Sequence, residues 1–489
     1  MHYQKLVSGI IIGVSCLFFA GCAVNPVTGK KQVAFMSEAQ EKQTGAESDP
    51  GVVAEFGLYA DSAVQQYIRA KGNEMAKISH RPNLNWTFRV LDSDVVNAFA
   101  VPGGYVYFTR GILTHMNNEA QFAGVLGHEI GHVTARHSVS QQSKGLLTQL
   151  GVFAAILANK NVAQFAEQLT QGAQLLMLKY SRDHETESDD LGVEYSSKVG
   201  YDAKEMAKFF LTLQRLQSQS SHSTLPEFMS THPDPGNRYE EVTKDAIKYQ
   251  QAAPGTSFKI NKKEYYKIIE NMVYGEDPRQ GFLRDNVFYH PELKFQFSTP
   301  TGWQYQNSPS RVQFGSKEGD AALIMTLAKG ANVQEAANNF LQQNQITSLE
   351  SRPTTINGLP AFVLVGQQLK ANQQTGQQEI AIKLLATFIQ YNNLVYELVG
   401  VSAPQSFSNY SGTFQNIGNS FNRVTNQDII NIKPERISLV TIAKPTSFQQ
   451  LLNTQGIAAT RHAEFALVNG VELNATLQTG DIIKLVKRR

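Results

Sequence analysis

The sequence predicts a multidomain α+β protein: a mainly helical domain with a small β-sheet, then an α+β domain, then a small βααβ unit. Three features predict it. The chain has 489 residues and 42% hydrophobic content, too much for one compact core, so several domains are expected. Apolar residues recur at helical spacing through most of residues 51–250. From residue 286 onward the pattern turns strand-like, in runs such as AALIMTL, AFVLVGQQL and LVYELVGV. The formal net charge of +2 implies no strong field, and nothing points to nucleic acid. The basic end, Lys487-Arg488-Arg489, reads as a solvated tail.

In chain order, His2 and Lys5 precede an apolar run ending FAGC, the pattern of a secretory signal over residues 1–21. Phe19 to Cys22 resembles a bacterial lipobox, with Phe19 where Leu is usual, and implies lipidation of Cys22. The only other cysteine, Cys16, lies inside the signal, so no disulfide is expected. Stable anchoring needs two or three acyl chains on Cys22. Ala23, where an Asp would resemble an inner-membrane retention signal, favours the periplasmic side of the outer membrane.

Residues 22–50 are polar and suit a tether. Val64, Tyr67, Ile68 and Met75 suit an amphipathic helix between residues 51 and 80. WTFRVLDSDVVNAFAVPGGYVYFTRGIL (86–113) reads as two strands around Pro102-Gly103-Gly104. Residues 117–141 read as helix capped by Asn117 or Asn118. More helix is expected from 145 to 219, with breaks near Asn159–Asn161 and at Gly200. Its segment 145–158 falls short of the ~20 residues that cross a bilayer and reads as a buried or interfacial helix. THPDPGNRYEE (231–241) is a proline-bearing loop before another helix, closing a first domain over 51–250. A linker follows at 251–285. An α+β domain with one helix, VQEAANNFLQQN, spans 286–424. The last unit, 436–487, runs ISLVTIA (strand), FQQLLNT (helix), AEFALVNG (helix) and DIIKLVK (strand).

The chemistry concentrates in GVLGHEIGHVTARH, residues 124–137. His128 and His132 are i and i+4, so a helix puts both imidazoles on one face. Glu129 lies one residue round, able to reach a metal-bound water without binding the metal. Catalytic zinc takes three protein ligands and keeps one open position. The third must come from elsewhere, and YSRDHETESDDLGVEY (180–195) offers His184, Glu185, Glu187 and Asp189. Glu185 and Asp189 share a face, so one can bind while the other steers a histidine ligand. Glu187 points ~200° away from Glu185. His137, five residues after His132, is rotated off the ligand face and reads as structural.

GHEIGHVTARHS, YSRDHETESD and THPDP together resemble the HtpX-like and CAAX-prenyl-protease family of HExxH zinc metallopeptidases, in its soluble, BepA-like periplasmic lipoprotein type. The resemblance implies a zincin-like protease domain and Zn2+ held by His128, His132 and Glu185. In Glu185-Thr186-Glu187-Ser188-Asp189, Glu185 is the ligand by resemblance and Asp189 its supporting partner. Ser188 stands where the family usually has Ala. His232, followed by Pro233, matches a histidine that can sit over the metal as a gate or a transition-state donor, and Arg238 matches an arginine often found after it. VNAFAVPGGYVYFTRG (96–111) resembles a strand along the cleft, so Asn97, Ala98, Phe99 and Ala100 are candidates for an edge that holds an extended peptide. TGDIIKLV (479–486) resembles a LysM module and implies a possible peptidoglycan contact.

The expectation is a lipid-anchored zinc endopeptidase acting on exported polypeptides, with misfolded envelope proteins as substrates. The alternative is a chaperone-like or wall-binding lipoprotein with a latent metal site. The intact Glu129 argues against a dead enzyme. No paired carboxylates suggest a glycan hydrolase.

Overall fold

Strand pairing among the described residues begins at Cys22, where Cys22–Val24 (β1) runs antiparallel to Lys31–Val33 (β2). The structure, a computed structural model, describes residues 22–143, 147–149, 157–169, 176–178, 180–219, 227–233, 237–371 and 376–488. Residues 1–21, expected to be a signal, residues 150–156, His222, residues 234–236 of the proline-bearing loop and Arg489 lie outside the described residues.

The expected tether is largely structured. Glu38–Phe56 forms a helix (α1) behind a capping box of Ser37 and Gln40. Its Glu41 is buried and paired with Arg81 and Arg136. These partners lie far along the chain, so composition alone reads the segment as polar linker. The next helix is Ser62–Ala76 (α2), capped by Asp61.

Residues 86–113 hold three strands rather than two. Thr87–Leu91 (β3) lies parallel to Tyr105–Thr109 (β5), and Ala98–Val101 (β4) pairs antiparallel with β5. The order β3-β5-β4 leaves β4 at an edge. The Pro102–Gly104 turn joins β4 to β5 as expected. Gly103 has φ 88° there, and a Cβ would stand 2.8 Å from the Glu41 carbonyl, so the turn needs glycine twice over.

Arg110–His115 (α3) leads to Glu119–Thr134 (α4), every residue of which is buried. Asn118 caps α4, its side chain accepting from the Gln121 N–H at 2.8 Å. His137–Ser143 (α5) follows. Residues 147–149, expected in a helix, instead form a strand, Leu147–Gln149 (β6), paired with Leu176–Leu178 (β7). Between them Lys160–Leu169 (α6) reaches out of the first domain. Its Val162, Phe165 and Ala166 bury against Ile324, Leu364 and Phe388 of the second. Arg182–Lys198 (α7) then packs across α4. Glycines set that approach: a Cβ on Gly127 would lie 3.1 Å from Gly192 Cα, and one on Gly192 3.1 Å from the Gly124 carbonyl oxygen. Lys204–Gln219 (α8), Glu227–Thr231 (α9) and Arg238–Gln251 (α10) complete the helical set.

The expected linker carries Lys262–Ile269 (α11), whose Tyr265, Tyr266 and Ile269 sit in the first domain's core. Its apolar face is partnered, so it is part of that domain rather than a connection. The α+β domain contains a seven-stranded sheet. Three of its strands, Gln304–Ser308, Arg311–Gly315 and Ala321–Leu327, precede the helix Val333–Gln343, and four longer ones follow between Ile346 and Ser402. In the last unit Glu435–Thr441 pairs antiparallel with Ile482–Arg488 around two helices, Phe448–Thr454 and His462–Asn469. The chain is therefore mixed α+β and multidomain.

Candidate metal centre

Helix α4 places His128 and His132 on one buried face, with their Nε2 atoms 3.0 Å apart. Helix α7, brought close by the glycine crossing, aims Glu185 at the same point. Glu185 Oε2 is 3.6 Å from His128 Nε2, and Oε1 is 3.4 Å from His132 Nε2. At the end of α9, His232 Nδ1 lies 3.1 Å from Glu185 Oε1 and 3.3 Å from His128 Nε2. One ligand atom from each of the four falls within 4.8 Å of the others, and all four residues are buried. A tetrahedral ion with bonds of ~2.05 Å separates its ligands by about 3.3 Å. The 3.0–3.6 Å spacings match that, and two imidazoles with a carboxylate suit zinc. The residues present therefore fit a metal ion.

Supporting groups fix the ligands. Asp189 Oδ1 lies 2.8 Å from His128 Nδ1, so His128 donates from Nδ1 and presents Nε2 to the centre. Arg238 holds Asp189 with two 2.7 Å bonds and lies 3.2 Å from Glu185 Oε2. Its guanidinium also sits 4.0 Å from the Phe210 ring. Arg238 is thus part of the site.

Glu129 is fully buried beside the cluster, and neither carboxylate oxygen has a hydrogen-bond partner among the described residues. Its Oε1 lies 3.7 Å from His232 Nε2. Burial raises its pKa to about 7. Burial also drives His128 and His132 well below the usual histidine range. For His232 burial opposes the charge, but the Glu185 and Glu129 carboxylates outweigh it and raise the pKa. Burial raises Asp189 to about 6, against the pull of Arg238.

The sequence candidates His128, His132, Glu185, Glu129, Asp189, His232 and Arg238 thus converge. His184 and Glu187, two of the four groups offered by the α7 segment, stand aside from the ligand cluster. His184 stacks on His137 at 4.2 Å, and Glu187 contacts His137. Asn97 to Ala100 fall on or beside edge strand β4, with their side chains buried. The Val96 carbonyl next to them accepts a bond from the Phe228 N–H of α9 at 3.3 Å.

Tyr180 and Phe228 escaped the sequence reading, and His137, read as structural, lies outside the ligand cluster but nearer to His132 than expected. His137 Nδ1 lies 3.0 Å from His132 Nδ1. The i+5 argument assumed a continuous helix, but α4 ends at Thr134, and Arg136 at φ 59° swings the chain back. Tyr180 stacks on His132 at 3.8 Å, and Phe228 on His232 at 4.4 Å. A pairing of His137 with a carboxylate was the one signal available, in the charged run of α7.

Two histidines one helical turn apart, a carboxylate from a crossing helix and an unpartnered glutamate beside them define a metallopeptidase-type centre. Residues 62–246, which build it, match the model of peptidase family M48. The chain is 31% identical over 326 residues to a beta-barrel assembly-enhancing protease of Yersinia pestis, covering 65% of this chain and 62% of that one. It is 29% identical over 247 residues to the protein of that name from Escherichia coli (strain K12), covering 48% and 50%. With the mitochondrial metalloendopeptidase OMA1 of Bos taurus it shares 27% over 278 residues, covering 51% and 53%. The chain thus spans between half and two thirds of the length of these relatives.

Proposed function

We propose that this chain is a zinc-dependent metalloendopeptidase whose resting site is closed by its own His232. The convergence of His128, His132, Glu185 and His232 on one point carries the reading. When bound, the metal supplies Lewis-acid chemistry, making water acidic and a carbonyl electrophilic. His128, His132 and Glu185 would hold it, and Asp189 and Arg238 keep His128 and Glu185 in place. Glu129, whose oxygens have no hydrogen-bond partner among the described residues, accepts the proton of the attacking water and returns it to the leaving amine. His232, with Nδ1 3.1 Å from Glu185 Oε1 and 3.3 Å from His128 Nε2, covers the same point at rest and withdraws when substrate enters. The outer edge of β4, at Asn97 to Ala100, receives an extended polypeptide through main-chain hydrogen bonds.

The substrates in this proposal are misfolded or misassembled envelope proteins, a reading supported by the relatives named as beta-barrel assembly-enhancing proteases. The FAGC sequence supports an acyl anchor at Cys22 and residence on the periplasmic side of the outer membrane. Among the described residues no helix is long and apolar enough to cross a membrane. The strand-helix-helix-strand order of the last unit is compatible with a LysM-like surface for peptidoglycan. Closure by His232 favours a second reading, a chaperone-like binder whose metal site stays latent.

Casein cleavage with and without chelator separates the two. The peptidase reading expects chelator-sensitive cleavage that Glu129→Gln reduces by at least about 100-fold with zinc retained. Binding of unfolded casein that survives Glu129→Gln, with no cleavage by the parent, would favour the binder.

A further inference from the structure

The two histidine ligands are supported differently. His128 is backed by Asp189. Behind His132 stands a second imidazole, that of His137, and behind that a chain of groups running to the N-terminal hairpin. His137 Nδ1 is 3.0 Å from His132 Nδ1, and His137 Nε2 is 3.1 Å from Glu187 Oε2. Glu187 Oε1 accepts from Asn25 Nδ2 at 2.9 Å. Asn25 Oδ1 is engaged elsewhere, accepting from the Val27 and Thr28 N–H groups at 2.8 and 3.2 Å.

These contacts leave one arrangement of protons for a metal-bound His132. With Nε2 turned to the metal, His132 carries its proton on Nδ1 and donates it to His137 Nδ1. His137 must then be protonated on Nε2, which donates to the Glu187 carboxylate. Asn25 cannot flip its amide without losing the turn its oxygen holds, so its Nδ2 faces Glu187 as donor. Ser188, where the resembled family has Ala, adds its hydroxyl 3.2 Å from His137 Nδ1. His137 and Ser188 are fully buried, and Asn25 is only 5% exposed. The hairpin is docked independently: Gln32 Nε2 donates to the Ala135 carbonyl at 3.2 Å, just past the end of α4.

We propose that Asn25, Glu187 and His137 form a positioning relay that orients His132 toward the metal, so that the hairpin at residues 22–33 sets how tightly the centre holds zinc. The inference rests on the metallopeptidase reading for the ligand role of His132. Asn25 follows Cys22 by three residues, which puts the first link of the relay beside the proposed point of membrane attachment.

The test exploits the polarity of the Asn25–Glu187 link. Asn25→Asp keeps the turn acceptor but sets a carboxylate against Glu187. Glu187→Gln sets an amide NH2 against the Asn25 NH2 if its oxygen still accepts from His137. The double variant restores the chain with that link reversed, since Gln at 187 accepts from His137 and donates to Asp at 25. Zinc affinity of the full chain is measured by competition with a chromophoric chelator, alongside the unfolding temperature. Each single variant is expected to bind zinc roughly 10- to 100-fold more weakly, and the double variant to recover to within a few-fold of the parent. Rates of casein cleavage should follow the same order.

Single variants that hold zinc as tightly as the parent would overturn the relay. So would a double variant no better than the weaker single. If a single variant unfolds, recovery or failure in the double variant still decides. Parent protein that binds one zinc, shows this rescue and cleaves nothing would sink the peptidase reading and leave the relay standing. Parent that cleaves through Glu129 without rescue would do the reverse, and parent that binds no zinc would sink both.

Discussion

His232 supplies a fourth donor atom, the third nitrogen, to a centre that needs only three protein donors and one open position for catalysis. That excess makes His232→Ala the informative substitution at the residue scale. It is expected to raise the initial rate of casein cleavage several-fold while leaving zinc content at the parent level, read by metal analysis. An equal or lower rate would assign His232 to stabilising the transition state instead of closing the site. At this scale most of the site was legible, because one helical turn fixes His128, Glu129 and His132 relative to one another. Glu185 and Asp189 share a face by the same geometry, although choosing Glu185 as the ligand needed the family resemblance. His137 and Tyr180 were not legible. The first depends on a backbone reversal at Arg136, the second on how a distant strand returns to the site.

Between elements, the α4–α7 crossing decides whether Glu185 reaches the histidines. The approach is set by Gly124, Gly127 and Gly192, where added Cβ atoms would meet the opposing helix or Met206 at 2.5–3.1 Å. Gly192→Val forces the helices apart. It is expected to cost roughly 1–3 kcal/mol of stability and to weaken zinc binding with it, measured by thermal unfolding and chelator competition. Unchanged zinc affinity would mean that Glu185 reaches the centre without that close packing. Glycines at 124, 127 and 131 recur at helical spacing, so the narrow face was visible in the sequence, but its partner was not. The same contrast runs through the other elements. Strong 3.6-residue patterns gave α2, α4 and α10 correctly in kind. The helix α1 was hidden in a polar stretch because much of its anchoring comes from ion-paired acids, Glu41, Asp49 and Glu55, whose partners lie far along the chain. Short strands such as β6 were hidden because three residues carry no usable period.

Across the whole molecule the parts are joined by buried and half-buried cations. Lys484, fully buried in the last unit, donates to the Thr114 and Met116 carbonyls of the first domain at 2.7 and 2.9 Å. Burial, with Lys262 nearby, holds its pKa well below the ordinary lysine value. Arg110 donates to the Val273 and Gly275 carbonyls, and Arg311 of the second domain pairs bidentately with Glu55 of α1 at 2.6 and 2.9 Å. Such docking joins residues hundreds of positions apart and is invisible to periodicity. Lys484→Met leaves two carbonyls without their donor at a cost of about 1–3 kcal/mol each. Limited proteolysis is expected to release the last unit faster, with zinc content unchanged. Release at the parent's rate would show that the apolar contacts alone hold it.

The most direct test of the account is metal analysis of the purified full chain beside Glu185→Ala. Near one zinc per chain in the parent, lost or much reduced in the variant, is the predicted result. Full zinc in Glu185→Ala, with loss in His184→Ala, would contradict the ligand set on which the proposed chemistry depends.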